Sequence, residues 1–147
     1  MNKVFFDLEW NTGFLDGNSF DEIIEIGAVK TDEEYRQIDG FRRLIRPVIY
    51  RKMNPYIQKI LAITMKDLQG EEPLAAVAKV FFDWCGDCDT LIAWSGNDFG
   101  VLEKNLAHIG MKIPEQLGRY DVQMAYAYRT ENSIRNYALK TAVEAME

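Results

Sequence analysis

The N-terminal stretch VFFDLEWN alternates apolar and polar side chains, and this period of two predicts a β-strand over residues 4–11. Successive side chains of a strand point to opposite faces. The two faces of this strand carry Val4, Phe6, Leu8 and Trp10 on one side and Phe5, Asp7, Glu9 and Asn11 on the other. Asp7 and Glu9 therefore point the same way, roughly 7 Å apart along the strand.

An acidic pair of this kind has two interpretations. In most amphipathic strands, a D-x-E sequence simply lies on the face that meets water. Alternatively, the two carboxylates hold a divalent metal ion, and that hypothesis requires further acidic residues elsewhere in the chain.

The rest of the chain alternates runs of strand length with runs of helical period. Two further strands are predicted over EIIEIGAVKTD and QIDGFRRLIRP, and TGFLDGNSFD before them is predicted to be a loop. The intervals between these three strands are too short for crossover helices, so we expect an antiparallel meander. The other predicted elements are helices over 54–63, 74–85, 97–111 and 133–147 and strands over 89–95 and 119–128.

Composition limits the architecture and the class of protein. With 147 residues, 48% of them hydrophobic, the chain suffices for one core, so we expect a single domain over 1–147. No run approaches a membrane span, and acids interrupt the N-terminal apolar run, which favours a soluble cytoplasmic protein without a membrane partner. A net charge of -6 argues against nucleic-acid binding through overall positive charge, although local patches or bound cations could supply the attraction.

The sequence WCGDC resembles a redox dithiol but has the wrong context. In thioredoxins a strand leads into C-x-x-C at a helix N-terminus, where the helix dipole lowers a thiol pKa. Here a helical pattern precedes Cys85 and a strand follows Cys88, so the dipole disfavours a thiolate. A zinc site would need two more ligands, and His108 is the only histidine, predicted to be a partly exposed surface residue. We therefore expect two reduced cysteines in a turn.

A third acidic residue occurs where a second apolar strand ends. In AWSGNDFGVLEKNL, a Ser-Gly-Asn turn follows the strand, and Asp98 opens a helix. Ser95 and Asp98 have the spacing of a capping box, so Asp98 could serve only the helix N-terminus. Together with the D-x-E of the first strand, however, the pattern favours a shared site.

At this point the chain resembles the DEDD, or DnaQ-like, 3′-5′ exonucleases, which have the ribonuclease H-like fold. FFDLEW is similar to the family's first motif, and EIIEIGAVK and FRRLIRP to its next two strands. IAWSGNDFGVL is similar to its second motif, and the Trp-Ser-Gly turn is closest to the RNA-trimming branch. The resemblance implies an α/β fold in which a three-stranded antiparallel meander is extended by parallel strands, with helices packed on the sheet.

The resemblance also implies a site and its cofactors. Two Mg²⁺ or Mn²⁺ ions would clamp the scissile phosphate, and such hard cations require oxygen ligands. Asp7 would bridge both metals, Glu9 would bind one metal and the terminal 3′-hydroxyl, and Asp98 would hold the other metal. These three acids should therefore converge. The residues expected to contact a single-stranded 3′ end are Leu8, Trp10, Asn11, Ser95 and Asn97.

Two of the expected nucleic-acid contacts have structural alternatives. Trp10 either stacks on the terminal base or packs in the core, since it shares a face with Val4, Phe6 and Leu8. A basic cluster either follows the phosphate backbone or is a solvated strand and turn. The cluster consists of Arg42, Arg43, Arg46, Arg51 and Lys52.

The family's third motif, H-x4-D or Y-x3-D on a late helix, has no match. After Asp98 the only aspartate is Asp121, which lies on a predicted strand, and no histidine follows His108. We therefore expect the chain to lack the C-terminal helix that carries a fourth carboxylate and the general base. Weak or absent Mn²⁺-dependent trimming and a homodimer through an exposed C-terminal surface would follow. Turnover as fast as that of a complete family member would instead indicate that another acid fills the missing role, with Asp121 and Glu144 as the first candidates.

Three functional classes follow from these features. The first is a 3′-5′ exonuclease acting on single-stranded RNA or DNA. The second is a catalytically incomplete exonuclease-like module that binds nucleic acid or a protein partner. The third, an unrelated D-x-E phosphatase or metal hydrolase, leaves Asp98 and the order of the strands unexplained.

Overall fold

The computed structural model describes residues 1–94, 96–123 and 125. In this part of the chain, helices lie against a five-stranded mixed sheet. The elements in chain order are β1 (Lys3–Leu15), β2 (Asn18–Thr31), β3 (Gln37–Leu44), α1 (Pro55–Leu61), α2 (Met65–Leu68), α3 (Leu74–Cys85), β4 (Thr90–Ala93), α4 (Gly96–His108) and β5 (Gly118–Asp121).

The sheet has the order β3-β2-β1-β4-β5. β1 pairs with β2 and β2 with β3 in antiparallel fashion, whereas β4 pairs in parallel with both β1 and β5. The predicted fold class, an antiparallel meander extended by parallel strands, is therefore confirmed.

The predicted loop between the first two strands is wrong. β1 and β2 continue as a paired hairpin as far as Leu15 and Asn18, and only Asp16 and Gly17 form the turn. Both turn residues have positive φ, 52° and 82°, as a two-residue hairpin turn requires. The segment was predicted to be a loop because it is rich in Gly, Asp and Asn, but backbone pairing holds an exposed hairpin together whatever its side chains.

A register shift between Glu9 and Trp10 directs the buried residues of β2 to two different clusters. The extra residue on β2 is Ile24, since Glu9 pairs with Glu25 and Trp10 with Ile23. Ile23 packs in the main core, whereas Ile24 joins a smaller cluster with Met53 and Leu68.

The main core lies on the apolar face of β1, as the alternation predicts. Val4, Phe6 and Leu8 are at most 5% exposed and pack against α3 and α4. Trp10 is partly buried against the same cluster. The opposite face of β1 therefore carries the two acids and stays outside this core.

The helices begin and end close to the predicted residues. Asn54 caps α1 by accepting the backbone N–H groups of Tyr56 and Ile57, and α3 ends at Cys85. β5 is shorter than predicted, because the chain after Asp121 is already helical at residues 122–123. The helix predicted over 133–147 lies outside the described residues. Nowhere in the described part is a helix both long and apolar enough to cross a membrane.

The cysteines and the histidine behave as predicted. Cys85 and Cys88 are buried, free thiols at the C-terminal end of α3. Burial raises the pKa of the Cys85 thiol to about 12, so it is not a reactive thiolate. His108 is exposed at the end of α4, with its ring 5.8 Å from that of Phe20.

Two buried polar side chains fasten the segment after β3 to the hairpin. Asn11, which is 1% exposed, donates to the Lys52 carbonyl and accepts the Asn54 backbone N–H. Glu22, opposite Asn11 across the hairpin, accepts the backbone N–H groups of residues 48–50. These bonds stabilise an irregular segment that has no ladder of its own.

We predict that Asn11→Ala lowers the free energy of unfolding by about 2 kcal/mol, because it leaves two buried backbone groups without partners. Chemical denaturation with a far-UV circular dichroism signal measures the change. The matched control Asn18→Ala, at an exposed position beside the hairpin turn, should cost about 0.5 kcal/mol or less. Equal costs for both variants would contradict the role assigned to Asn11.

Candidate active site

The topology of the sheet brings the acidic residues of two motifs together. β1 and β4 pair in parallel only over Lys3–Phe5, so Asp7 and Glu9 lie just past the end of this pairing. β4 ends at Ala93, and α4 begins at Gly96 with Asp98 in its first turn. Because the carboxyl ends of parallel strands meet at one edge, the N-terminus of α4 lies beside the two acids of β1.

The pKa of Asp98 reports this proximity. Asp98 is 8% exposed, and its pKa is raised to about 7 from an ordinary value of 3.8. Burial is the largest cause, and the charges of Asp7, Glu9 and Asp121 add to it. Asp98 therefore belongs to a group of four acids, Asp7, Glu9, Asp98 and Asp121, which we call the acidic cluster.

The two acids of β1 are perturbed in the same direction. Burial raises the pKa of Asp7 more than a hydrogen bond from the Leu8 backbone lowers it, and the charge of Glu25 adds to the increase. Burial also raises the pKa of Glu9, followed by the charges of Asp7 and Glu25. Each carboxylate of β1 thus lies in a field that opposes its ionisation.

Asp121 is the member of the acidic cluster that the sequence did not assign to the site. It pairs with Ala93 across β4 and β5, which puts it at the same carboxyl edge of the sheet as the turn before α4. Its Oδ2 lies 3.0 Å from the position that a Cβ on Gly96 would occupy, so glycine at 96 leaves room for it. The sequence offered Asp121 only as a candidate for the missing acid, because it lies on a strand and not on a late helix. The end of a parallel strand next to β4 was a usable signal for its place in the site.

The donor set suits a hard divalent cation. All four members of the acidic cluster offer carboxylate oxygens, the ligands that Mg²⁺ and Mn²⁺ prefer. Repulsion among them raises the Asp98 pKa, and a bound cation would offset that repulsion. Within the described residues, however, no three Asp, Glu, His or Cys side chains form a group ready to hold a metal ion. Asp7, Glu9 and Asp98 are thus close enough to affect one another's charge. A bound cation would have to draw their carboxylates closer together.

The residues expected to contact the substrate fall into different environments. Leu8 is buried in the main core, and both amide atoms of Asn11 bond to the backbone of residues 52–54. Asn97 is exposed at the start of α4. Ser95 lies outside the described residues. The contacts themselves stay predictions.

A cavity of about 470 Å³ opens between the hairpin and the first turns of α4. Trp10 and Phe20 supply aromatic walls, and Asn97 and Lys104 supply polar groups. Trp10 thus packs against the main core and also borders this cavity, which accommodates both interpretations of its role.

Comparison with known proteins identifies related sequences. The exonuclease family model RNase_T matches residues 4–145. The DNA polymerase III PolC-type protein of Clostridium perfringens is 34% identical over 112 residues, which are 75% of this chain and 7% of that protein. The chain therefore spans only a small part of this relative.

Solved structures share the fold at low sequence identity. The nuclease domain of 3′hExo bound to rAMP has a TM-score of 0.74 and 17% identity, covering 90% of this chain and 71% of that one. Cell-death related nuclease 4 has a TM-score of 0.75 and 13% identity, covering 96% and 52%. E. coli exonuclease I in complex with a dA13 oligonucleotide has a TM-score of 0.69 and 17% identity, covering 93% and 32%.

We predict that the metal-free protein loses stability as pH rises from about 4 to about 7. The folded state holds a proton on Asp98 up to about pH 7, whereas the unfolded state releases it near 3.8, so ionisation favours unfolding. The loss attributable to Asp98 amounts to about 4 kcal/mol at most. Denaturant titrations at several pH values, in the presence of a chelator, measure it.

Asp98→Asn should flatten this pH dependence, because the amide carries no charge. Asp16→Asn, in the exposed hairpin turn, is the matched control and should keep the wild-type profile. If Asp98→Asn follows the wild-type profile from pH 4 to pH 7, the description of Asp98 as a repelled, buried acid is wrong.

Proposed function

Because this chain belongs to the exonuclease family whose model matches residues 4–145, we propose that it hydrolyses phosphodiester bonds at the 3′ end of single-stranded RNA or DNA with Mg²⁺ or Mn²⁺. The observation that carries this proposal is the position of Asp98 in the first turn of α4, directly after β4, which pairs in parallel with the strand that carries Asp7 and Glu9. Two motifs that are about 90 residues apart in the chain meet at one edge of the sheet, as a shared cation site requires.

Each acid has a task in this proposal. Asp7 and Glu9 hold the cations from the rigid strand β1, and Asp98 holds them from the first turn of α4. When bound, two such cations supply the activated nucleophile and stabilise the leaving oxygen. The strand and the helix keep the carboxylates in place, so the attacking water and the phosphate are oriented without large rearrangement of the backbone.

The cavity beside the acidic cluster suits a nucleoside. Trp10 and Phe20 offer apolar and aromatic surface for a base, and such stacking is tolerant of base identity. Lys104 offers a cation on the opposite wall. The complexes of 3′hExo with rAMP and of exonuclease I with an oligonucleotide support this class of ligand, and they support RNA and DNA equally.

Turnover depends on a base that the sequence does not supply in the family's usual form. No histidine follows His108, and Asp121 is the only aspartate after Asp98. A positioned general base typically contributes about 10²- to 10⁴-fold in rate. We therefore propose slow trimming, with Asp121 as the fourth carboxylate of the site.

The competing proposal is an exonuclease-like module that binds without turnover. In its favour, no three Asp, Glu, His or Cys side chains in the described part of the chain form a group ready to hold a metal ion. The two proposals agree on binding to single strands and differ in whether the 3′ end is shortened.

We predict stepwise but slow shortening of 5′-labelled single-stranded RNA and DNA in Mn²⁺, and no shortening in a chelator. Asp7→Asn should lower the rate at least about 100-fold, because it removes a carboxylate from the centre of the acidic cluster. Asp16→Asn should leave the rate unchanged. Denaturing gels with time points measure both.

Two results separate the hypotheses. Shortening that persists in Asp7→Asn would show that the activity comes from elsewhere and would refute the proposed site. Binding of the labelled strand without shortening, in wild type and variants alike, would instead establish the binding module.

A further inference from the structure

The acidic face of the sheet carries an arginine that the proposed cation site does not use. Directly opposed residues on neighbouring strands point to the same face of a sheet. Asp7 pairs with Gly27, and Gly27 pairs with Arg42, so these three residues form one row across β1, β2 and β3. Arg42 therefore lies on the same face as the Asp7 carboxylate, about 10 Å away across two strand spacings.

Glu25 fixes the position of Arg42. The Arg42 Nε donates to Glu25 Oε1 over 3.1 Å, and Glu25 lies opposite Glu9 in the next row. The Glu25 side chain is 16% exposed, whereas the Arg42 side chain is 74% exposed. The cation is thus the outer member of the pair, and it is the member that an approaching ligand meets.

The terminal nitrogens of Arg42 remain available. Within residues 1–94, 96–123 and 125, the Arg42 side chain donates only through Nε, to Glu25. A guanidinium held in this way presents two parallel N–H groups, the geometry that binds two oxygens of one phosphate. A lysine at this position would offer a point charge without that fork.

Among the described residues, the space above Gly27 is open. Within this part of the chain, a Cβ added to Gly27 would meet only the Asp7 backbone oxygen, at 4.0 Å, so the glycine leaves room at the middle of the row. The backbone of a polynucleotide has room to lie over Gly27, between the Asp7 carboxylate and the Arg42 guanidinium.

We propose that the row Asp7–Gly27–Arg42 is a track for the bound strand, in which Arg42 binds a phosphodiester group inward from the scissile bond. This inference rests on the proposed function, because it takes a single-stranded polynucleotide as the ligand. The proposal assigns phosphate binding to Arg42 alone among the residues of the basic cluster. Arg43, its neighbour, points to the opposite face and lies over the Phe41 ring, 5.2 Å from its centroid.

Arg43 gives a matched control on the same strand. Binding of a fluorescent single-stranded oligothymidylate is measured by anisotropy, with Ca²⁺ as the divalent cation to slow hydrolysis. We expect Arg42→Gln to weaken binding about tenfold at low salt and to reduce the slope of log K against log salt by about 0.7. Arg43→Gln should retain the wild-type affinity and slope.

A second pair of variants tests the open space above Gly27. Gly27→Val fills the space in the row and should weaken binding at least about fivefold, since a branched side chain would separate the strand from the sheet. Gly40→Val, on the neighbouring strand β3 and outside the row, should bind like wild type. Neither glycine has a positive φ, so both strands accept valine. Circular dichroism checks that each variant keeps the wild-type fold.

The outcomes distinguish this inference from the proposed function. If the wild type binds and Arg42→Gln binds equally well, the track is wrong and the nuclease proposal stands. Equal losses in Arg42→Gln and Arg43→Gln would indicate attraction by overall charge and would also refute the track. If the wild type binds no single strand, both proposals fail.

Discussion

Repulsion among carboxylates is the constraint on which the site depends. Asp98 is buried beside the charges of Asp7, Glu9 and Asp121, and its pKa rises to about 7. Such an arrangement costs stability in the empty protein, because the folded state opposes the ionisation that water favours. A divalent cation removes this repulsion when it binds, so relief of the repulsion adds to the free energy of cation binding.

The fold creates this constraint by ending two strands beside each other. β1 leaves its parallel partner β4 after Phe5, and its next residues on the acidic face are Asp7 and Glu9. The core behind β1 holds that strand against α4, and the bonds of Asn11 and Glu22 fasten the hairpin to the segment after β3. Packing and buried hydrogen bonds thus hold together a site whose carboxylates repel one another.

Much of this architecture could be predicted because it follows from local patterns. The alternation in VFFDLEWN gave the faces of β1 correctly, and short intervals gave the antiparallel meander. The long hairpin was not predicted, since its Gly, Asp and Asn residues are typical of a loop and backbone pairing requires no particular side chains. Asp121 could be named only as a candidate for the missing acid, because its place at the site depends on the β4–β5 register, a long-range property. The pairing of Glu25 with Arg42 likewise requires knowledge of which strands are neighbours.

Proton release on metal binding tests the central claim most directly. Calorimetric titration with Mn²⁺ in two buffers of different ionisation enthalpy measures the protons released per bound ion. Asp98 has a pKa of about 7, so binding at pH 6 should release a large part of a proton, and at pH 8 much less. Asp98→Asn should abolish the difference between the two pH values. Binding at pH 6 without proton release, or an unchanged pH dependence in Asp98→Asn, would contradict the account.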